Sequence, residues 1–170
     1  IWTQVADRFK DYNENLVFES LNEPRLIGSA YEWNFNSTAT ECIEAQECIN
    51  AMNQKFVDVV RASGGNNANR YLMVPAYCAS ADAAVSDVFK MPSDTAENKL
   101  MLETHAYIPY FFAMASPSDS QSVDTFDVKT SGGDIDTLMD KLYLSFISKN
   151  IPVIIDEFGA INKNENVQAR

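Results

Sequence analysis

The chain has 170 residues, 46% of them hydrophobic, which is enough for one domain with a core and too few for two comfortable ones. Lys and Arg number 13 against 24 Asp and Glu, a net charge of −11, so a nucleic-acid or anionic-membrane partner, which needs a basic surface, is not expected. No apolar stretch approaches about 18 residues and no charged-then-apolar leader opens the chain, so neither a membrane span nor a signal peptide is expected within it; a start on Ile1 rather than Met places the natural beginning upstream.

Trp2, Val5, Phe9 and Tyr12 recur at helical intervals, and the run LVFESLNE over residues 16–23 follows as a strand. After a polar loop containing Trp33, residues 39–62 read as a long helix with Ile43, Ile49, Met52, Phe56, Val59 and Val60 as its apolar stripe. SGGNN at 63–67 stops it, since glycine tolerates the positive φ of a helix end. Those glycines match neither G-x-G-x-x-G nor the P-loop, so no phosphate cradle is expected. YLMVPAY at 71–77 is the next strand, followed by a short helix around residues 80–89. KLMLETHAY at 99–107 is a third strand, residues 116–133 a long surface loop, and residues 134–150 a helix with Asp134 as N-cap. IPVIIDEFGA at 151–160 is the fourth strand, and NENVQAR begins a further helix. Strands alternating with helices predict a parallel sheet with right-handed crossovers. Cys42, Cys48 and Cys78 form neither a C-x-x-C nor a Cys/His cluster and the one histidine is His105, so no zinc site is expected. Cys42 and Cys48 can pair only if their helix is interrupted.

Each strand ends on groups that a core rejects: Asn22 and Glu23, then Tyr77, then His105 and Tyr107, then Glu157. In parallel α/β folds those C-terminal strand ends form the active-site face. Alternation puts Glu19 with Glu23 on one face and groups Glu103, His105 and Tyr107. On a regular last strand Glu157 joins the site and Asp156 faces the helical layer or a strand neighbour; a bulge would reverse them. Glu19 and Glu103 lie deeper, where a carboxylate needs a partner that the sequence does not reveal. Two carboxylates at facing strand ends, with no metal-ligand cluster, cysteine nucleophile or phosphate loop, suit glycoside hydrolysis by an acid and a nucleophile.

NEP after LVFESL, then HAY, then IDEFG resemble glycoside hydrolase family 5, the cellulases, and FESLNEPR with YEW and SGGNNANRYLMVPAY resembles its endoglucanase, mixed-linkage glucanase and xyloglucanase branch. The resemblance covers nearly the whole chain. It implies an α/β fold, a partial (β/α)8 barrel holding about strands 4 to 7 over residues 1–170, with strands 1–3 and 8 absent. It also implies a secreted, extracellular endo-β-1,4-glucanase acting on β-glucan by retention, with no cofactor and no metal. Glu23 is then the acid/base and Glu157 the nucleophile. Asn22 bonds the sugar 2-hydroxyl, Tyr107 the nucleophile, and His105 the substrate or the acid/base. A nucleophile must stay ionised, which a tyrosine hydroxyl favours, and an acid needs a raised pKa.

Other uses of these residues exist. Glu23 can cap a helix after Pro24, His105 can be a core histidine, and Trp33 can stack a sugar or staple its own loop. Tyr31, Tyr77, Tyr110, Phe111 and Phe112 can line the cleft or pack locally. Asn36-Ser37-Thr38 fits a glycosylation acceptor. Xyloglucanase, mixed-linkage glucanase and mannanase are the alternative activities, and a non-catalytic carbohydrate-binding remnant is the alternative from another class. A half-barrel exposes two sheet edges and its inner face, which invites association or disorder; the expectation is either a fragment of a longer product or a chain that completes itself by pairing.

Overall fold

The alternating helical and strand periods build a single sheet. The structure, a computed structural model, describes residues 1–169. Arg170, the last residue of the expected final helix, lies outside them. Strands β1 (Phe18–Glu19), β2 (Leu72–Pro75), β3 (Leu100–Ala106) and β4 (Val153–Phe158) lie side by side in chain order, all parallel. Helices α1 (Trp2–Phe9), α2 (Thr40–Ala62), α3 (Ala81–Ala84), α4 (Tyr110–Ala113) and α5 (Val128–Ser145) precede and connect them. This is half of a (β/α)8 barrel. Among the described residues no helix is long and apolar enough to cross a membrane.

Two apolar clusters bury the helical side of the sheet. Phe18, Leu72 and Val74 pack with Ala6, Phe56, Val57 and Val60 from α1 and α2. Leu102, Val153 and Ile155 pack with Leu138 and Leu142 of α5 and with Phe146 beyond it. Alternation along the strands then turns Glu19, Glu103 and His105 to the opposite, inner face.

Several expected elements differ in extent. The strand expected over residues 16–23 is a two-residue ladder, because Ser20 turns its hydroxyl to Asn53 of α2 (2.7 Å) and the chain then leaves the sheet. The buried stripe of α2 is Cys42, Gln46, Ile49, Asn53, Phe56, Val57 and Val60, and Met52 is exposed. Two amides lie in that stripe because they serve backbone groups at the strand ends: Gln46 Oε1 accepts from Tyr77 N (2.8 Å) and Asn53 Nδ2 donates to Pro75 O (2.8 Å). Helix α2 is uninterrupted, with Cys42 buried, Cys48 exposed and both free. Helix α5 starts at Val128, six residues before the expected Asp134, and absorbs Gly132 and Gly133; its cap is Asp127, whose carboxylate accepts from Lys129 N (2.8 Å). The expected last helix is a 3-10 turn, Val167–Ala169.

The stop after α2 has a further reason. Gly64 and Gly65 take φ of 69° and 59°, and a Cβ on Gly65 would stand 3.0 Å from the Lys10 carbonyl, which already accepts from Asn66 N (2.8 Å). The turn is thereby pressed against the α1–β1 connection. Arg70, only 1% exposed, completes the fastening. Its guanidinium donates to Asn67 Oδ1 (2.6 Å) and to the carbonyls of Phe9 (3.0 Å), Tyr12 (2.7 Å), Asn13 (2.9 Å) and Leu16 (2.6 Å). Replacing Arg70 by Met leaves four carbonyls without a charged donor and should lower the unfolding free energy by about 3 kcal/mol or more in urea denaturation. Arg70→Lys should recover only part, because one ammonium cannot reproduce a planar fork. A Met variant within about 0.5 kcal/mol of wild type would show that the fastening is dispensable.

Candidate active site

Three of the four strand ends contribute to one cluster on the inner face. Beyond β1 the chain carries Asn22, which is exposed, and Glu23, whose carboxyl is half-buried. No helix follows Pro24; its carbonyl accepts from Cys78 N (2.9 Å), so Glu23 caps nothing. Glu23 Oε1 lies 2.8 Å from His105 Nδ1, and Oε2 lies 3.5 Å from Arg25 Nη1. From the end of β3 the Tyr107 hydroxyl donates to Glu157 Oε2 (2.8 Å), which also lies 3.4 Å from His105 Nδ1. One oxygen each of Glu23 and Glu157, together with that nitrogen, lie within 4.8 Å of one another.

Glu157 reaches this position through a bulge, not through regular alternation. Thr104 pairs with Ile155 but His105 pairs with Glu157, so Asp156 is an extra residue opposite no partner. Val153 and Ile155 pack on the helical side, which by alternation places Asp156 on the inner face, with Oδ1 at 3.7 Å from His105 Nε2. The expectation that Asp156 faces the helical layer is therefore corrected. The added residue brings Glu157 back to the side that Asp156 already occupies.

Deeper in, Glu103 is fully buried, and neither of its oxygens has a hydrogen-bond partner among the described residues. Burial, reinforced by the charges of Glu19, Asp156, Glu157 and Glu23, pushes its pKa up to about 9. Glu19 is raised by burial and then by Asp156. The Tyr107 phenol is held above its ordinary value chiefly by the bond it donates to Glu157, so its proton stays on the tyrosine. Two sets of atoms have metal-ligand chemistry, Glu23 with His105 and Glu157, and Glu103 with His105 and Asp156.

The loop after Glu23 is organised by residues that the motifs do not single out. Arg25 donates to Glu23 O (3.0 Å), stands 3.5 Å from Glu32 Oε1 and stacks 3.9 Å from the Trp33 ring centroid. Trp33 is 57% exposed, with its other side open. Tyr77, read as a possible cleft residue, is instead wholly buried, and it is what staples this loop: its hydroxyl donates to Tyr31 O (2.8 Å) and accepts from Leu26 N (3.0 Å). Phe112 packs on Phe126, while Tyr110 and Phe111 are exposed. Arg25 was visible as a cation two residues after Glu23 in NEPR; the inward turn of Asp156 left no signal in the sequence.

A family model, Cellulase (glycosyl hydrolase family 5), matches residues 1–170. Endoglucanase B of Ruminococcus albus is 45% identical over 170 residues, 100% of this chain and 38% of that protein. A mutant of the glycoside hydrolase family 5 lichenase from Caldicellulosiruptor sp. F32, solved in complex with cellotetraose, aligns with a TM-score of 0.96 at 51% identity, covering 99% of this chain and 46% of the other. A family 5 xyloglucan-specific endo-β-1,4-glucanase from a metagenomic library, in complex with cellotriose, aligns with a TM-score of 0.84 at 36% identity, again over 99% of this chain and 46% of the other. The chain spans less than half the length of each.

Glu103 gives the cluster a pH dependence of definite sign. Its folded pKa of about 9 exceeds the ordinary 4.5, so the unfolded chain releases this proton first, and stability falls as pH rises between the two values. The slope approaches about 1.4 kcal/mol per pH unit from this group alone. Glu103→Gln keeps the shape of the neutral acid and should flatten that part of the curve, gaining stability at pH 8 relative to wild type in urea melts. An unchanged slope would mean that Glu103 does not hold its proton in the folded state.

Proposed function

The chain belongs to glycosyl hydrolase family 5, the cellulase family, and from that premise we propose that it carries the catalytic pair of a retaining endo-β-1,4-glucanase. The observation that supports this reading best is the approach of Glu23 and Glu157 to within 4.8 Å between nearest oxygens. Retaining pairs stand about 5–5.5 Å apart, whereas inverting pairs leave about 6.5–9.5 Å for a water molecule.

In this mechanism Glu23 gives its proton to the glycosidic oxygen as that oxygen's bond to the anomeric carbon breaks. Glu157 attacks the same carbon through Oε1, since Tyr107 occupies Oε2, and a glycosyl ester forms. A water then donates a proton to Glu23 and attacks the anomeric carbon, and the ester bond to Glu157 breaks. Every bond change is covered by the two carboxyl groups, so the reading calls on no cofactor. His105 holds the Glu23 carboxyl in place through Nδ1. Asn22, exposed beside Glu23, is available to the 2-hydroxyl, and the open face of Trp33 to the apolar face of a sugar.

A neutral β-glucan suits a surface of net charge −11. The lichenase and the xyloglucan-specific enzyme were solved with cellotetraose and cellotriose, which favours β-1,4-linked glucose as the substrate and keeps mixed-linkage glucan and xyloglucan as the nearest variants. Such polymers lie outside cells, and the whole protein is accordingly proposed to be secreted. The open inner face also favours self-association of the isolated chain, with light scattering as the measurement and a monodisperse monomer as the contrary result.

Glu23→Gln and Glu157→Gln, in a polypeptide that supplies the other half of the barrel, should each lose about 10²-fold or more in kcat on carboxymethylcellulose. Azide should restore turnover to Glu157→Gly with the α-glycosyl azide as product, because the anion attacks from the vacated face. Wild-type rates in either glutamine variant would remove that residue from its role.

A further inference from the structure

The proposed hydrolysis gives no part to Arg25, although among the described residues this guanidinium is, with His105, one of the two basic groups paired with the Glu23 carboxyl. We propose that Arg25 is a positioning residue for the proton transfer: acting through Glu23, it takes up the negative charge that this carboxyl acquires as the glycosidic oxygen is protonated. The inference rests on the hydrolytic reading and names the residue on which action on unactivated, sugar leaving groups depends.

The two oxygens of Glu23 face different partners. Oε1 lies 2.8 Å from His105 Nδ1, which leaves Oε2 to hold the proton that is delivered. Oε2 is also the oxygen that stands 3.5 Å from Arg25 Nη1. An ordinary N–H···O bond spans about 2.7–3.2 Å and a charge-assisted one about 2.7–2.9 Å, so the contact at rest is loose and has room to shorten. As the proton passes to the glycosidic oxygen, its electron pair stays on Oε2, and the guanidinium gains an anionic acceptor that the neutral acid does not offer. An interaction that strengthens only as this charge develops lowers the barrier and does more than bind substrate.

The loop holds Arg25 ready for this. The backbone on both sides of it is fixed to the turn after β2: Pro24 O accepts from Cys78 N (2.9 Å), and Leu26 N donates to the Tyr77 hydroxyl (3.0 Å). The side chain is 22% exposed and engaged in three directions, with Nη1 donating to Glu23 O (3.0 Å), Nε 3.5 Å from Glu32 Oε1 and the Trp33 ring centroid 3.9 Å away. Glu32 is itself fixed by Gly28 N, which donates to its Oε2 (2.8 Å). This second carboxylate shares the cation at rest, and the share that Glu23 takes grows as its own charge appears. The planar fork suits the task, because one donor can move toward Oε2 while the others keep the loop in place.

The test compares kcat/KM, which reports the first chemical step, on two substrates in a polypeptide that supplies the other half of the barrel. Cellotetraose expels a sugar that must be protonated, whereas 2,4-dinitrophenyl β-cellobioside expels a stable anion. Arg25→Met should lose about tenfold or more on cellotetraose and less than about threefold on the dinitrophenyl substrate. A structural defect would lower both together, so the retained dinitrophenyl rate also shows that the site is folded. Arg25→Lys should recover part of the loss, since it keeps the charge without the fork. Glu23→Gln, measured alongside, separates the two claims. If it spares the dinitrophenyl substrate while Arg25→Met lowers both substrates equally or neither, the role of Arg25 is overturned and the acid keeps its place. If Glu23→Gln itself lowers both equally, the acid assignment falls and takes this proposal with it.

Discussion

The imidazole of His105 has carboxylates at both nitrogens, Glu23 and Glu157 at Nδ1 and Glu103 and Asp156 at Nε2, and the inner face of the sheet is arranged around it. With Glu19, five acids lie around this ring, and among the described residues His105 and Arg25 are the basic side chains paired with them. Two unit charges about 4 Å apart repel by about 4 kcal/mol at an effective dielectric of 20, so the cluster cannot be fully ionised at modest cost. The proton that burial keeps on Glu103 removes one charge from its centre. Stability is spent here for function, and the apolar clusters on the helical side of the same strands offset it.

Strand β4 meets a demand that regular alternation cannot. A strand shows an acid to a given face at every second residue, yet Asp156 and Glu157 are adjacent and both lie beside His105. The bulge between Thr104 and His105 in the β3–β4 register resolves this by one unpaired residue. Its placement is economical, because it falls after Ile155, where the packing against α5 has already been secured, and before Glu157, whose carboxyl must meet Tyr107. A shift one pair earlier would turn Ile155 out of the apolar layer.

What was legible in the sequence followed from short-range periodicity. The grouping of Glu103, His105 and Tyr107 needs only the two-residue repeat of β3, and the order of strands needs only the alternation of patterns. The pairings of Glu23 with His105 and of Tyr107 with Glu157 came from motif resemblance, since they join residues 82 and 50 apart in the chain. What escaped was set by tertiary demand. Gln46 and Asn53 look like surface residues of α2 until the strand ends they serve are known. Arg70 reads as an ordinary surface cation, although its donors find five acceptors in the α1–β1 connection and the preceding turn. The first turns of α5 were lost because Ser131, Gly132 and Gly133 have loop composition, while the Asp127 cap and the burial of Gly132 hold them helical.

The strand ends divide their labour. Those of β1, β3 and β4 lead to Glu23, His105 with Tyr107, and Glu157, whereas the turn after β2 carries Tyr77, which is wholly buried. Its hydroxyl instead fixes Leu26 and Tyr31, on either side of the turn through which Arg25 and Trp33 face each other. Arg25 in turn lies beside the Glu23 carboxyl and bonds its carbonyl. The orientation of the acid on β1 is thus set from two directions, by the imidazole on β3 and by a loop whose anchor is on β2. A loop tied only at its ends would leave Arg25 free to leave Glu23. Tied by a buried phenol at its middle, it keeps a cation beside the acid and one face of Trp33 turned to solvent.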